Sequence, residues 1–254
     1  MNTLVLGTFK GRFTAKRIAL ALQCPCQIRG TDVLPEHRNR GFIIRYGNTH
    51  TALNNLNIRR VINKIPAIKL ASNKQACRKL ILSNGLRAPM LYYYDDIMQE
   101  NITFPIIARP IYHFGGRGFH IIHNKVEAVD AIRQGMYLQA IVQKKEEFRM
   151  FIINNRIIES SIKRPTSESC RDNMVWNHES GWNFFYIPND DIAEHLRSEA
   201  RMAISACGLD FGAVDVCVDK EDKAWIFEIN TAPGLIDRKA EKFALRLKQE
   251  FIGE

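Results

Sequence analysis

Two stretches near the carboxyl end of the chain decide its fold: Leu209-Asp210-Phe211-Gly212-Ala213-Val214-Asp215-Val216-Cys217-Val218 and Trp225-Ile226-Phe227-Glu228-Ile229-Asn230-Thr231-Ala232-Pro233-Gly234. Both are rich in β-branched and aromatic residues that alternate in period two, which predicts two strands. The polar segment between them predicts a hairpin turn centred on Glu221-Asp222. That turn places Asp215 directly opposite Glu228, with Asn230 on the same face.

The facing carboxylates of Asp215 and Glu228 predict a bound cation. Opposed positions have Cβ atoms about 4.5–5.5 Å apart, so like charges there destabilise the pair. Two carboxylates and the amide oxygen of Asn230 are hard ligands, which suit Mg²⁺ completed by phosphate oxygens and water. The alternative is an ordinary hairpin with a solvated acidic face. The abrupt end of the second strand at Thr231–Gly234 favours a turn beside a ligand.

Composition predicts a globular protein with an acidic partner. The chain has 254 residues, 46% of them hydrophobic, enough for one large domain or two or three small lobes. No apolar run approaches the roughly 18–20 residues that span a bilayer, and Met1–Gly7 lacks the features of a secretion signal. Scattered cysteines predict a reduced, cytoplasmic protein. The net charge of +9 favours nucleotide, nucleic acid or an acidic protein segment, unless it serves only solubility.

The segment Phe227–Gly234, after the strand that carries Asp215, resembles the C-terminal motif of the ATP-grasp superfamily. D-alanine–D-alanine ligase, glutathione synthetase and the ligases that add glutamate to a ribosomal protein belong to it. The resemblance implies an α+β fold in which two α+β lobes grip ATP, preceded by a small αβ N-terminal lobe. It also implies that Asp215, Glu228 and Asn230 hold Mg²⁺ ions that bridge the ATP phosphates. The expected units are residues 1–68, 69–139 and 140–254.

Two further segments follow the order of the superfamily. Ser72 is expected to cap a helix, and the resemblance implies that Lys74 in its first turn reaches the nucleotide phosphates. A surface lysine is the alternative. A strand ending at Arg109, where the superfamily commonly has a lysine, precedes a glycine-rich loop and a second strand. Glycines let backbone N–H groups approach phosphate oxygens, so the loop fits the superfamily's lid, with a plain hairpin loop as the alternative. The lid residues are Gly115, Gly116 and Gly118, with His113 and Arg117 facing the phosphates or the acceptor.

The next strand, Met136–Val142, lies where the superfamily has the hinge between its lobes. The resemblance implies that backbone groups of Gln139, Ala140 and Ile141 hold the adenine edge. Glu146 or Glu147 would then accept the ribose hydroxyls, and spacing does not choose between them.

A strong hairpin, turning at Asn154-Asn155, comes after the hinge. Its acid-x-Arg opening matches the family pattern and assigns Arg149 to the γ-phosphate or acyl phosphate. Lys163 and Arg164 on the return strand would bind the carboxylate substrate. On this interpretation Arg149, Arg109 and Lys163 offset the charge that develops on the transferred phosphoryl group.

Substrate contacts are expected from two further regions. Arg45 and Asn48 lie at the carboxyl end of a predicted strand, where open αβ sheets place ligand contacts, although a structural turn is equally consistent. Residues 165–190 are predicted to be irregular, and long loops of this kind are usually functional or disordered. That stretch supplies the candidates Asn177, His178 and Trp182. The basic tail 238–251 is expected to pack on the C-terminal lobe as a helix.

The ordered segments together predict an ATP- and Mg²⁺-dependent ligase. It would join a carboxylate to an amine through an acyl phosphate, with small-molecule or peptide substrates. One alternative is a kinase of the same superfamily that phosphorylates a small-molecule hydroxyl. Another is a basic, nucleotide-regulated binding protein without ligase activity. The acceptor is left open between a peptide, a protein terminus, an amino acid and a modified nucleic acid, and so is the oligomeric state.

Overall fold

Three β-sheets and their helices make up the protein. A computed structural model describes residues 2–112, 118–170, 174 and 176–253. The strands are β1 (Thr3–Gly7), β2 (Cys26–Gln27), β3 (Phe42–Tyr46), β4 (Arg60–Ile62), β5 (Leu91–Tyr92), β6 (Ile106–Pro110), β7 (His120–Ile122), β8 (Met136–Gln139), β9 (Lys144–Ile153), β10 (Arg156–Pro165), β11 (Trp182–Ile187), β12 (Phe211–Asp219) and β13 (Ala224–Asn230). The α-helices are α1 (Arg12–Ala21), α2 (Ile65–Ser72), α3 (Lys74–Ser83), α4 (Tyr94–Met98), α5 (Lys125–Arg133), α6 (Glu194–Ala206) and α7 (Asp237–Leu247).

The first sheet is parallel and has the strand order β2-β1-β3-β4. Its two faces are apolar because both are covered, one by α1 and the other by the loops around Val33 and Leu53. The predicted strand that carries Arg45 is β3. The short strands β2 and β4 have too few residues to show an alternation in the sequence.

The second sheet is antiparallel and has the order β5-β8-β6-β7. Helices α4 and α5 cover one face, where Ile97, Ala128 and Leu138 belong to one apolar cluster. Strand β5 has only two residues, because the chain turns into α4 at Tyr94. The predicted lid residues His113, Gly115, Gly116 and Arg117 lie outside the described residues.

The third sheet, β11-β10-β9-β12-β13, carries the hairpin that the sequence singled out. Asp215 pairs with Glu228, as predicted. The turn is different from the prediction: Asp219 accepts the N–H groups of Glu221 and Lys223, both at 2.9 Å, and shapes a wider connection. Val216 therefore pairs with Ile226, and a bulge at Phe227 restores the predicted register at the carboxylates.

The stretch 165–190 is not irregular throughout, which corrects the prediction. Residues Trp182–Ile187 form β11, the edge strand, which pairs antiparallel with β10. Its composition, Trp-Asn-Phe-Phe-Tyr-Ile, has the aromatic enrichment typical of strands. The polar residues around it hid this signal.

Helix α7 joins the first and third sheets through a shared core. Phe243 makes edge-on contacts with Tyr46 of β3 and Phe211 of β12, at ring-centroid distances of 6.4 and 5.4 Å. The tail helix thus packs on the N-terminal sheet's helix and strands as well as on the C-terminal lobe, which widens the predicted contact. Helices α2, α3 and α6 cover the opposite face of the third sheet. No helix among the described residues has the length and apolar character needed to cross a membrane.

Candidate active site

A cleft of about 540 Å³ opens between the second and third sheets. Its walls come from β6 and β8 on one side and from β9 to β13 on the other. The residues that line the cleft include Arg109, Gln139, Ile141, Lys144, Glu147, Arg149, Lys163, Trp176, Asn177, His178, Trp182, Phe184, Asp215, Glu228 and Asn230.

A row of three charged side chains crosses one wall of the cleft. Arg149 of β9 pairs in register with Asp215 of β12, which pairs in turn with Glu228 of β13. Arg149 donates two hydrogen bonds of 2.7 Å to Asp215, one to each carboxylate oxygen. Lys74 Nζ lies 2.8 Å from Glu228 Oε1. In this structure the two facing carboxylates are neutralised by side chains of the protein itself, Arg149 and Lys74.

Electrostatic partners favour the charged forms of Glu228 and Arg149. Burial acts to raise the pKa of Glu228, but the Lys74 ammonium and the Arg149 guanidinium outweigh it and hold that pKa below its ordinary value. Burial opposes the charge on Arg149, yet Asp215 raises the pKa of Arg149 above its ordinary value. Asn230, the third predicted ligand, also lines the cleft, and its Oδ1 accepts the Ala232 N–H at 3.0 Å.

Lys74 lies behind the row rather than in the cleft. Its Nζ is within 3.4 Å of the carbonyls of Ala71 and Ile229, and the side chain is buried. In this arrangement it neutralises Glu228 and does not line the predicted phosphate site. The predicted cap is also corrected: α2 ends at Ser72, and the Asn73 side chain accepts the Ala76 N–H at 3.0 Å to cap α3.

A second charged group surrounds Glu147. Glu147 forms ion pairs with Lys163 and, at 3.4 Å, with Lys144. Burial lowers the pKa of Lys144, and Glu147 opposes that shift. Glu146 points to the other face of β9, where it meets Arg164 at 3.3 Å outside the cleft. Of the two candidates for the ribose, the structure therefore places Glu147 at the cleft and not Glu146.

Aromatic rings form the wall opposite the second sheet. Trp176 and Trp182 stack with centroids 3.9 Å apart, and Lys144 Nζ lies 4.1 Å from the Trp176 ring. Phe184 lies under the Arg149 guanidinium at 4.3 Å. The sequence interpretation included Trp182 but missed Trp176 and Phe184. The aromatic run of β11 was the available signal for Phe184, whereas nothing local marked Trp176.

Two of the three predicted hinge residues line the cleft. Gln139 and Ile141 line it, and the Gln139 side chain accepts a hydrogen bond from Arg78. The Ala140 N–H already donates to the Met90 carbonyl at 2.9 Å, so it is not available to an adenine. Arg109 lines the cleft from β6, and burial lowers its pKa.

Arg45 and Asn48 do not line the cleft. Arg45 donates to Asn48 Oδ1 at 3.0 Å and to the Thr51 carbonyl at 2.7 Å, and Asn48 donates to the Gly7 carbonyl at 3.1 Å. Both are almost fully buried. The structure thus favours the structural-turn alternative for this pair over substrate contact.

The remaining substrate candidates, Asn177, His178 and Trp182, do line the cleft. His178 Nδ1 shares a 2.6 Å hydrogen bond with Asn183 Oδ1, and Asn177 accepts the Ser180 N–H at 2.8 Å. Gly118 lies outside the lining. Its φ of +70° favours glycine, and a Cβ there would lie 3.2 Å from the Pro110 ring.

The chain has the ATP-grasp fold, as its sequence predicted. It superposes on D-alanine–D-alanine ligase from Bacillus anthracis with a TM-score of 0.71 and 14% identity, covering 98% of each chain. It matches the ATP-grasp ligase PsnB complexed with minimal precursor with a TM-score of 0.69 and 12% identity, covering 98% of this chain and 99% of the other. A third match is macrocyclase MdnC from Microcystis aeruginosa bound with precursor peptide MdnA, with a TM-score of 0.65 and 12% identity over 96% and 99%.

The chain is also similar in sequence to curated D-alanine–D-alanine ligases. It is 24% identical over 218 residues to that of Hydrogenovibrio crunogenus, covering 79% of this chain and 68% of the relative. It is 25% identical over 165 residues to that of Buchnera aphidicola subsp. Schizaphis graminum, covering 61% of this chain and 54% of the relative. No family model matches the chain.

Proposed function

We propose that this chain is an ATP- and Mg²⁺-dependent ligase that joins a carboxylate to an amine and forms ADP, with an amino acid or a peptide as substrate. The row of Arg149, Asp215 and Glu228 along one wall of the cleft carries the proposal. Such a row combines a cation for a phosphoryl group with carboxylates for a metal. The likeness to amino-acid and peptide ligases of the same fold supports it.

The donor set fits Mg²⁺. No three carboxylate, imidazole or thiol groups come together among the described residues to hold a metal alone. The cleft instead offers two carboxylates, Asp215 and Glu228, and the amide of Asn230, which suits an ion that takes its remaining oxygens from substrate phosphates and water. When bound, Mg²⁺ would neutralise charge on the ATP phosphates.

Other lining residues are proposed to bind the ribose and the adenine of the nucleotide. Glu147 is proposed to accept the ribose hydroxyls, in place of Glu146. Gln139 and Ile141 would hold the adenine edge, because both lie at the end of β8 in the same cleft. The proposed units remain residues 1–68, 69–139 and 140–254, and the separation of the three sheets supports them.

The proposed reaction needs no protein nucleophile. A substrate carboxylate oxygen attacks the γ-phosphorus of ATP, and the bond to the bridging oxygen breaks to release ADP. The amine nitrogen then attacks the carbonyl carbon of the acyl phosphate, phosphate leaves, and the nitrogen loses its proton to solvent. Arg149, Arg109 and Lys163 would offset the charge on the transferred phosphoryl group.

Conservative removal of each carboxylate tests this function. Glu228→Gln and Asp215→Asn should each abolish Mg²⁺-dependent ADP formation in pools of carboxylates and amines, because a metal ligand is lost. Asp222→Asn, at the exposed hairpin turn, is the matched control and should keep the activity. Full turnover by both cleft variants would contradict the proposal.

Hydroxylamine separates the ligase from a kinase of the same fold. It converts an acyl phosphate to a hydroxamate, whereas a phosphorylated hydroxyl gives none. ATP binding without ADP release in every pool would instead favour a regulatory nucleotide site.

A further inference from the structure

A basic aromatic surface, formed by Phe9, Arg12, Phe13 and Arg29, lies outside the cleft. Phe9 is 57% exposed and Phe13 is 63% exposed. The Arg12 guanidinium lies 4.1 Å from the centroid of Phe9 and 4.4 Å from that of Phe13, and Arg29 lies 5.9 Å from that of Phe9. Arg12 also donates to the Phe9 carbonyl at 2.9 Å. The two rings are therefore held in place while they face solvent, and a partner would lose little entropy in ordering them.

The position of this surface in the fold is one where open sheets bind ligands. The chain leaves β1 towards β2 on one side and returns to β3 on the other, so the strand order reverses between β1 and β3. Ligands of such sheets bind at the carboxyl ends of the strands beside that reversal. Phe9 and Arg12 follow β1 at this end.

The surface also adjoins the segment that ends the carboxylate hairpin. A Cβ at Gly11 would lie 3.4 Å from the Cβ of Ala232, which is two residues beyond Asn230. Thr14 and Leu235 continue this contact, since the Leu235 N–H donates to Thr14 Oγ1 at 3.2 Å. A molecule bound on the surface would thus lie next to the end of the proposed active site.

Charge selects the kind of partner. The first 31 residues contain five cations, Lys10, Arg12, Lys16, Arg17 and Arg29, and no acidic residue. Neither Arg12 nor Arg29 has a carboxylate partner among the described residues. A complementary ligand therefore supplies carboxylates to the guanidinium groups and an apolar side chain to the exposed rings.

We propose that this surface binds a peptide segment in which acidic residues flank an apolar or aromatic one. The inference rests on the proposed ligase function, because it makes the bound segment a flanking part of the ligase's peptide substrate. A peptide is favoured over a nucleic acid, since the adjoining site is proposed to act on carboxylates and amines. Two solved structures of the same fold, of PsnB and MdnC, also hold precursor peptides.

Fluorescence anisotropy without ATP tests the proposal. The probe is a fluorescein-labelled peptide of repeated Glu-Glu-Phe units, titrated with the full chain at low and physiological salt. Arg12→Glu should weaken binding about tenfold or more, equivalent to about 1.4 kcal/mol. The double substitution Phe9→Ser and Phe13→Ser should also weaken it, with an unchanged melting temperature. Arg133→Glu, at an exposed cation of α5, changes the net charge equally and should leave binding unchanged.

Three results would overturn the inference. They are absence of binding by the wild-type chain, an equal loss for Arg12→Glu and Arg133→Glu, and tighter binding of a labelled single-stranded oligonucleotide than of the peptide. Because the assay contains no ATP, Asp215→Asn should bind the peptide as the wild type does. Failure of the peptide surface and failure of the ligase function are therefore observed separately.

Discussion

Replacement of Arg149 by methionine tests whether the protein's own cation balances the carboxylate of the site. Methionine keeps an unbranched side chain but removes both 2.7 Å hydrogen bonds to Asp215. The Asp215 side chain is only 6% exposed, so little water can replace the lost guanidinium. The variant should therefore fold with an unpaired buried carboxylate.

The cost can be estimated from that burial. Removing one partner of a buried ion pair costs about 3–5 kcal/mol, because the other charge is left uncompensated. In a protein of this size each kcal/mol lowers the melting temperature by roughly 2–4 °C. The expected fall is therefore on the order of 6–20 °C in a metal-free buffer.

Thermal unfolding followed by circular dichroism measures the effect in EDTA and in excess MgCl₂. The proposed Mg²⁺ site exists only in the folded state, so Mg²⁺ should restore part of the loss in Arg149→Met. The double variant Arg149→Met with Asp215→Asn should melt above Arg149→Met alone, because position 215 no longer carries an unpaired buried charge. A melting temperature equal to that of the wild type, or a double variant no better than the single one, would refute this account.

Three further predictions concern other parts of the molecule. Burial raises the pKa of Glu199, so ionisation of this carboxyl group destabilises the folded state. Glu199→Gln should therefore raise the melting temperature at pH 7, and the gain should vanish below the ordinary carboxyl pKa of about 4.3. A gain that is independent of pH would show that burial of the charge is not its cause. Trp176 lines the cleft and Trp225 does not. ATP should therefore quench tryptophan fluorescence less in Trp176→Phe than in Trp225→Phe. Equal quenching in the two variants would exclude Trp176 from the proposed nucleotide site. Arg45→Met should lower the free energy of unfolding by about 1–3 kcal/mol and leave the KM for ATP unchanged, because buried hydrogen-bond acceptors lose their donor. A raised KM at unchanged stability would instead indicate that Arg45 contacts the substrate.

The central hairpin shows what a local sequence pattern predicts correctly. Period-two alternation placed Asp215 and Glu228 on one face, and the pairing was confirmed. The turn between them was predicted one residue too tight. The register survived because the bulge at Phe227 compensates for the wider turn, and no local pattern announced that bulge.

The choice between Glu146 and Glu147 shows what a local sequence pattern does not predict. Alternation says only that the two side chains point to opposite faces of β9. Which face borders the cleft depends on where the second sheet and β11 lie, and both are distant in sequence. Trp176 reaches the cleft for the same reason, through stacking on Trp182 and contact with Lys144.

The sequence by itself determined the two strands of the central hairpin, their alternation and the two facing carboxylates, because neighbouring residues impose these through backbone geometry. Only the tertiary structure decided what neutralises those carboxylates. Arg149 and Lys74 come from β9 and α3, and the apposition of those elements depends on the burial of a common core. A pairing between residues 66 positions apart, such as Arg149 with Asp215, leaves no periodic trace in the chain.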